Sequence, residues 1–94
     1  TLLQWALLNQ RLDSLKALLD AGADPAQPGV DGDTVVHMAA MANDPAYLAE
    51  LLARGADPNV RNPDSGAGPL RAALMGEREV QFRALLAAGA DPNL

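Results

Sequence analysis

His37 is the only imidazole in this chain of 94 residues, and cysteine is absent. A zinc site draws mainly on Cys and His ligands, and neither a second His nor any Cys exists to complete one. Ser14 and Ser65 carry hydroxyls, but a nucleophile needs an adjacent base and a third group to orient that base. No such neighbours surround either serine. Asp24, Asp57 and Asp91 recur in phase and invite a carboxylate-pair reading. Their spacing instead places one per structural unit, about 8–10 Å apart if helices separate them, where a side-chain oxygen can accept local backbone amides in a turn. The glycine-rich stretches from Gly29 to Gly32 and Gly66 to Gly68 lack the Gly-x-x-x-x-Gly-Lys pattern of a phosphate loop, and the sole lysine is Lys16. No acid, base, nucleophile or ligand set assembles, so the expectation is a protein with no catalysis, metal or cofactor.

The in-phase aspartates belong to a larger repeat. Leu51-Leu52-Ala53-Arg54-Gly55-Ala56-Asp57-Pro58-Asn59 matches Leu18-Leu19-Asp20-Ala21-Gly22-Ala23-Asp24-Pro25-Ala26 upstream. Downstream it matches Leu85-Leu86-Ala87-Ala88-Gly89-Ala90-Asp91-Pro92-Asn93, and the three glycines are 33 and then 34 residues apart. A period of this size means stacked units. Each phrase has a local logic. The Leu pair closes an amphipathic helix, and glycine follows where a left-handed backbone takes the chain out of it. Asp-Pro then disfavours further helix.

Composition bounds what such a stack can be. Some 49% of residues are apolar but only three are aromatic, so Leu, Ala and Val must build the core. The net charge of −5 disfavours nucleic acid, whose phosphates need a basic face, and favours a partner with a basic surface. No apolar run reaches the roughly 20 residues of a membrane span, and no signal-like segment opens the chain. With cysteine absent, the expected location is the cytoplasm.

Taken in order, Thr1 to Asn9 reads as a first inner helix, with Thr1 and Gln4 spaced as a capping box. Gln10-Arg11 makes a turn, and Leu12, Leu15, Leu18 and Leu19 form one face of an outer helix with Asp13 in its first turn. Asp24 to Asp33 is a polar finger or hairpin. Thr34 caps a second inner helix, and Asn43-Asp44-Pro45 opens a second outer one, buried through Tyr47, Leu48, Leu51 and Leu52, with Pro45 at the first helical position. Pro58 to Gly68 is a second finger, one residue longer. Pro69 to Leu74 is the third inner helix behind the poorer cap Gly68. The third outer helix runs from about Arg78 to Ala88, with Val80, Leu85 and Leu86 expected in the core beside Phe82.

Two motifs recurring in phase, Asp31-Gly32-Asp33-Thr34-Val35-Val36-His37-Met38-Ala39-Ala40 and the Leu-Leu-x-x-Gly-Ala-Asp-x-Asn phrase at Leu51 to Asn59, resemble the ankyrin repeat. The resemblance covers essentially the whole chain. It implies an all-α solenoid of stacked helix–turn–helix pairs with projecting β-hairpin or loop fingers, in one domain, with units at about 1–28, 29–62 and 63–94. The chain departs from the family pattern at Thr-Leu-Leu-Gln in the first unit and Gly-Pro-Leu-Arg in the third. Ala26 replaces an Asn, and the usual turn glycine is Gln10, Asn43 and Glu77. Terminal units of an array need a polar outer face. Leu94 and the leucines of the first helix show no such adaptation, so the chain reads as a piece of a longer array, the alternative being a short natural one.

The resemblance also implies roles. The residue at His37 ties its helix start to the neighbouring repeat's backbone, with Gln4 and Arg71 as poorer equivalents. Partners of such arrays lie against finger tips and inner helices. Here those positions are Val30, Asp31 and Asp33, then Asp64, Ser65 and Ala67, with Leu8, Asn9, Met41, Ala42 and Met75 on the helices. Trp5 and Met38 either border the same groove or belong to the core, and the core is the alternative for Met41 and Met75 too. The expected function is binding of another protein without catalysis, the alternatives being a structural spacer or an inhibitor that blocks another protein's active site.

Overall fold

The computed structural model describes residues 1–93; Leu94, among the residues read above as lacking a polar adaptation, lies outside them. Six helices alternate between an inner and an outer row. The inner row is α1 (Leu2–Leu8), α3 (Val35–Met41) and α5 (Pro69–Met75); the outer row is α2 (Leu12–Asp20), α4 (Ala46–Ala53) and α6 (Glu79–Ala87). Each inner helix packs on the outer helix that follows it, and helices of the same row pack on one another from pair to pair. The stack measures 33 × 26 × 21 Å.

Local chemistry sets each boundary as the repeat phrase demands. Thr1 and Gln4 cap each other reciprocally at the start of α1, and Thr34 does the same with His37 at α3. Gly68 offers α5 no side-chain cap, but Pro69 at the first turn has no amide to satisfy. At the end of α2 the amide of Ala23 donates to the Leu18 carbonyl and that of Gly22 to Leu19, both at 3.0 Å. The same pair of bonds closes α4 and α6, with Gly22, Gly55 and Gly89 all at positive φ. Asp24, Asp57 and Asp91 each accept the amide two residues on, at 2.8–2.9 Å. Their role is that of turn formers.

Stacking is closest where side chains are smallest. Ala6, Ala39 and Ala73 hold equivalent inner-helix positions and are completely buried. Leu15, Leu48, Leu51 and Leu85 fill the space between the rows, each contributing about 1.5–3 kcal/mol of burial. Leu18 and Phe82, equivalent to Leu51 and Leu48, are only partly buried because they face the two ends of the stack.

The structure corrects several expectations. Val80 is 63% exposed, because it occupies the outward position that Asp13 holds in α2. Gln81 is the buried residue in its place, and Leu86 is exposed on the end face. Pro45 is the N-cap of α4 rather than its first helical residue, with Asp44 Oδ1 accepting the Ala46 amide at 2.9 Å. The fingers contain no strand among the described residues. Each is a loop closed by one backbone bond at its base, Gly29 to Asp33 and Asn62 to Ala67, both at 2.8 Å. The extra residue of the second finger falls between those closing residues.

Candidate partner-binding surface

Equivalent positions on the three inner helices form rows that run along the stack. Leu8, Met41 and Met75 make one row at the helix ends; Trp5, Met38 and Ala72 make a second, one turn earlier. Leu8 and Met75 are 68% and 74% exposed, and Met41 is exposed as well. Trp5 is 52% exposed and Met38 half-buried, which places Trp5 on the surface rather than in the core. Asn9 extends the first row and is exposed, but its amide donates to the Trp5 carbonyl at 2.9 Å and closes its own helix. Ala42 is half-buried, and its carbonyl accepts from Gln81 Nε2 at 2.5 Å.

The fingers flank these rows at the other end of the inner helices. Val30, Asp31, Asp64 and Ser65 are exposed. Asp31 Oδ1 accepts the Asp33 amide at 3.1 Å, and Ser65 Oγ accepts the Ala67 amide at 3.3 Å, so both also shape their turns. Two expected tip residues are turned inward. Asp33 is half-buried and its Oδ1 accepts from Asn62 Nδ2 at 2.8 Å. Ala67 is half-buried, and its carbonyl accepts from His37 Nε2 at 2.8 Å.

Asn62 was not singled out by the sequence. Only 6% exposed, it donates through Nδ2 to Asp31 O and Asp33 Oδ1 in the first finger. Its Oδ1 accepts the amides of Asp64 and Ser65 in the second, at 2.8 and 3.3 Å. One amide side chain thus clasps two loops. Gly32 packs against it: a Cβ there would collide with Asn62 Oδ1 and Asp64 Oδ2, and φ is +87°. The available signal was an amide at a finger base where the preceding finger has Gly29.

His37 holds a matching position one layer inward. It is buried; its Nδ1 accepts the Thr34 amide at 3.1 Å, so Nε2 carries the proton donated to Ala67 O. Gln4 reaches Asp33 O in the same way at 2.7 Å, whereas Arg71 is exposed at the end of the stack. Asn59 repeats the theme between the exit turns, donating to Gly89 O and accepting the Asp91 amide at 2.7 Å.

The cations engaged in ion pairs lie away from this surface. Arg54 pairs with Asp20 at 2.5 Å and Glu50 at 2.8 Å, linking α2 to α4, and the Asp20 hydrogen bond, then that of Glu50, raises its pKa. Arg83 pairs with Glu79 on α6. None of the ion pairs among the described residues involves a finger. The exposed carboxylates of Asp31 and Asp64 take part in none of these ion pairs, with Arg61 as the nearby base in sequence. Among the described residues no group of His, Cys, Asp and Glu could hold a metal ion. No helix there is long and apolar enough to cross a membrane.

Comparison with known proteins agrees with the geometry. A family model described as ankyrin repeats (3 copies) matches residues 3–94. The chain is 60% identical over 94 residues to protein PhlB of Serratia liquefaciens, covering 100% of this chain and 41% of that protein. It is 45% identical over 85 residues to ankyrin repeat and SOCS box protein 16 of Mus musculus, covering 82% of this chain and 18% of that one. A putative ankyrin repeat-containing protein of Treponema pallidum is 35% identical over 89 residues, covering 94% and 30%. The chain spans less than half the length of each of these relatives. Capped inner helices, glycine-closed outer helices and fingers in register, together with a family match over nearly every residue, mean that this chain belongs to the ankyrin-repeat family.

Proposed function

We propose that the chain is a non-catalytic protein-binding module whose partner lies along the inner helices and reaches the finger tips with a basic edge. The observation that carries this reading is the row of Leu8, Met41 and Met75, exposed at equivalent positions, with Trp5 exposed one turn earlier and the Asp31 and Asp64 carboxylates exposed on the fingers at the other end of the inner helices. Large apolar side chains gathered on one face mark interaction sites, and methionine suits a surface that repacks around its partner. Three layers at 8–10 Å give a groove of roughly 25–30 Å. That accommodates a standard interface of about 800 Å² per partner. A framework clasped by Asn62 and His37 limits the ordering entropy lost on binding. The absence of cysteine is in keeping with a module that works in the cytoplasm.

The test compares affinity capture by the wild-type chain with capture by two surface variants. Met41→Glu/Met75→Glu acts on the strip, Asp31→Lys/Asp64→Lys on the tips. A protein retained by the wild type, lost by both variants and kept by the outer-helix control Val80→Glu supports the reading. A catch unchanged in both variants removes it. A second reading, a spacer segment within a longer array, is favoured by Leu2 and Leu74. Both are exposed on the end faces, where their equivalents Val35 and Ala40 are buried by neighbouring layers.

A further inference from the structure

The turn ends of the array, opposite the fingers, differ between the two junctions. Where the third layer meets the second, the seam is closed by side chains of the third. Arg78 Nε donates to Met41 O at 3.0 Å, its Nη2 to Asn43 Oδ1, and Gln81 Nε2 to Ala42 O. Counting back one repeat of 34 residues, the positions of Arg78 and Gln81 are held by Asp44 and Tyr47. Those two side chains face the first layer's turn without a guanidinium or amide to offer it. The counterparts of Met41, Ala42 and Asn43 there are Leu8, Asn9 and Gln10.

What remains at the first junction is an open cleft of about 720 Å³. Leu7, Leu12, Pro45 and Tyr47 line it together with Leu8 and Ala42 of the exposed strip, and Gln10, Asn43 and Asp44 are its polar groups. Asp44 is exposed; its Oδ1 accepts the Ala46 amide, and no cation pairs with its carboxylate among the described residues.

We propose that this cleft is a receptor for an arginine side chain carried by a partner protein, which supplies in trans the guanidinium that Arg78 supplies at the next junction. The second junction shows that a guanidinium can close a seam at this end of the array, although the turns differ in backbone, Ala42 being extended where its counterpart Asn9 lies at φ −94° and ψ 9°. Charge complementarity assigns the occupant, since the position that holds a cation at one junction holds a carboxylate at the other. A planar guanidinium has donors enough to meet Asp44 and a turn acceptor together, as Arg78 meets two acceptors at once. The aliphatic stem lies along Leu7 and Leu12. Lysine, a compact and more strongly hydrated point charge, fits less well. The cleft borders the strip, sharing Leu8 and Ala42 with it, but its carboxylate, Asp44, belongs to neither the strip nor the fingers.

The experiment is an amide chemical-shift titration of the whole chain with acetyl-arginine amide, with acetyl-lysine amide as comparison. The expected result is shifts concentrated at Gln10, Leu12, Asn43, Asp44 and Tyr47, with at least fivefold weaker binding of the lysine probe. Asp44→Asn keeps an oxygen to accept the Ala46 amide but removes the charge, and is expected to weaken arginine binding at least fivefold with little change in melting temperature. Asp64→Asn, at a finger tip, is expected to leave it unchanged. No shifts in the cleft, equal response to both probes, or binding that survives Asp44→Asn would each overturn the proposal. So would loss of binding in Asp64→Asn. Concentration-dependent shifts of the same amides without any probe would mean that a second copy, not a partner, fills the cleft.

Discussion

Replacing His37 with alanine tests how much one side chain contributes to joining the layers. The ring accepts the Thr34 amide at 3.1 Å, lies 2.9 Å from Thr34 Oγ1 and donates to Ala67 O at 2.8 Å, all in a buried setting. His37→Ala leaves the Thr34 amide unsatisfied, while the Ala67 carbonyl keeps the Asn62 amide and loses only its second bond. An unsatisfied buried group costs about 1–3 kcal/mol and a lost hydrogen bond about 0.5–1.5 kcal/mol, so the expected loss is about 3 kcal/mol before any relaxation that lets in water. At about 0.05–0.15 kcal/mol per residue, a domain of this size has a total stability of roughly 5–14 kcal/mol. The loss is therefore a large fraction of it. Urea unfolding followed by circular dichroism reads it out: with a slope of about 1–1.5 kcal/mol/M, the midpoint falls by roughly 2–3 M. Glutamine is the informative control, because Gln4 already makes the equivalent bond to Asp33 O within its own capping box. His37→Gln is expected to recover more than half of the loss. A His37→Ala midpoint within 0.5 M of wild type, or a glutamine variant as weak as alanine, would refute the reasoning.

Other substitutions probe the backbone. Gln10 and Glu77 both sit at φ +56° in the inner turns. There a side chain costs about 1–2 kcal/mol, of which glycine's greater flexibility gives back roughly half, so Gln10→Gly and Glu77→Gly should each raise stability by about 0.5–1 kcal/mol in thermal melts. Gly22→Ala meets nothing within 4 Å and suffers the backbone cost alone, whereas Gly32→Ala also collides with Asn62 and Asp64. The same melts should therefore show Gly32→Ala to be the more destabilising by about 1 kcal/mol or more. Asn62→Ala should raise hydrogen exchange at the Asp64 and Ser65 amides at least tenfold while helix amides keep their protection.

How far the sequence disclosed this depended on whether a residue's environment is local or shared between layers. Gly22, Gly55 and Gly89, the three turn aspartates and the Thr1 and Thr34 caps answer to their own few neighbours, and they stand where the pattern puts them. Val80 was misjudged because an isolated valine reads as core, although its phase with Asp13 points it outward. Leu86 has the sequence of a core residue but lacks the next layer that would cover it. Asn62 and Gln81 act across 29 to 39 residues, and no local spacing announces a partner that distant. The turn after α3 was equally hidden, since Ala42 takes an extended backbone where Gly76 is helical. That difference frees the carbonyls on which Arg78 and Gln81 close one seam.

The central claim is that this repeat stack acts by holding another protein against its inner face. Hydrogen exchange of the chain, alone and saturated with the protein it captures, measures that contact residue by residue. New protection at residues 5–9, 38–42 and 72–76 and at the finger tips around Asp31 and Asp64 is the predicted result. Protection confined to the outward faces of α2, α4 and α6 would contradict it.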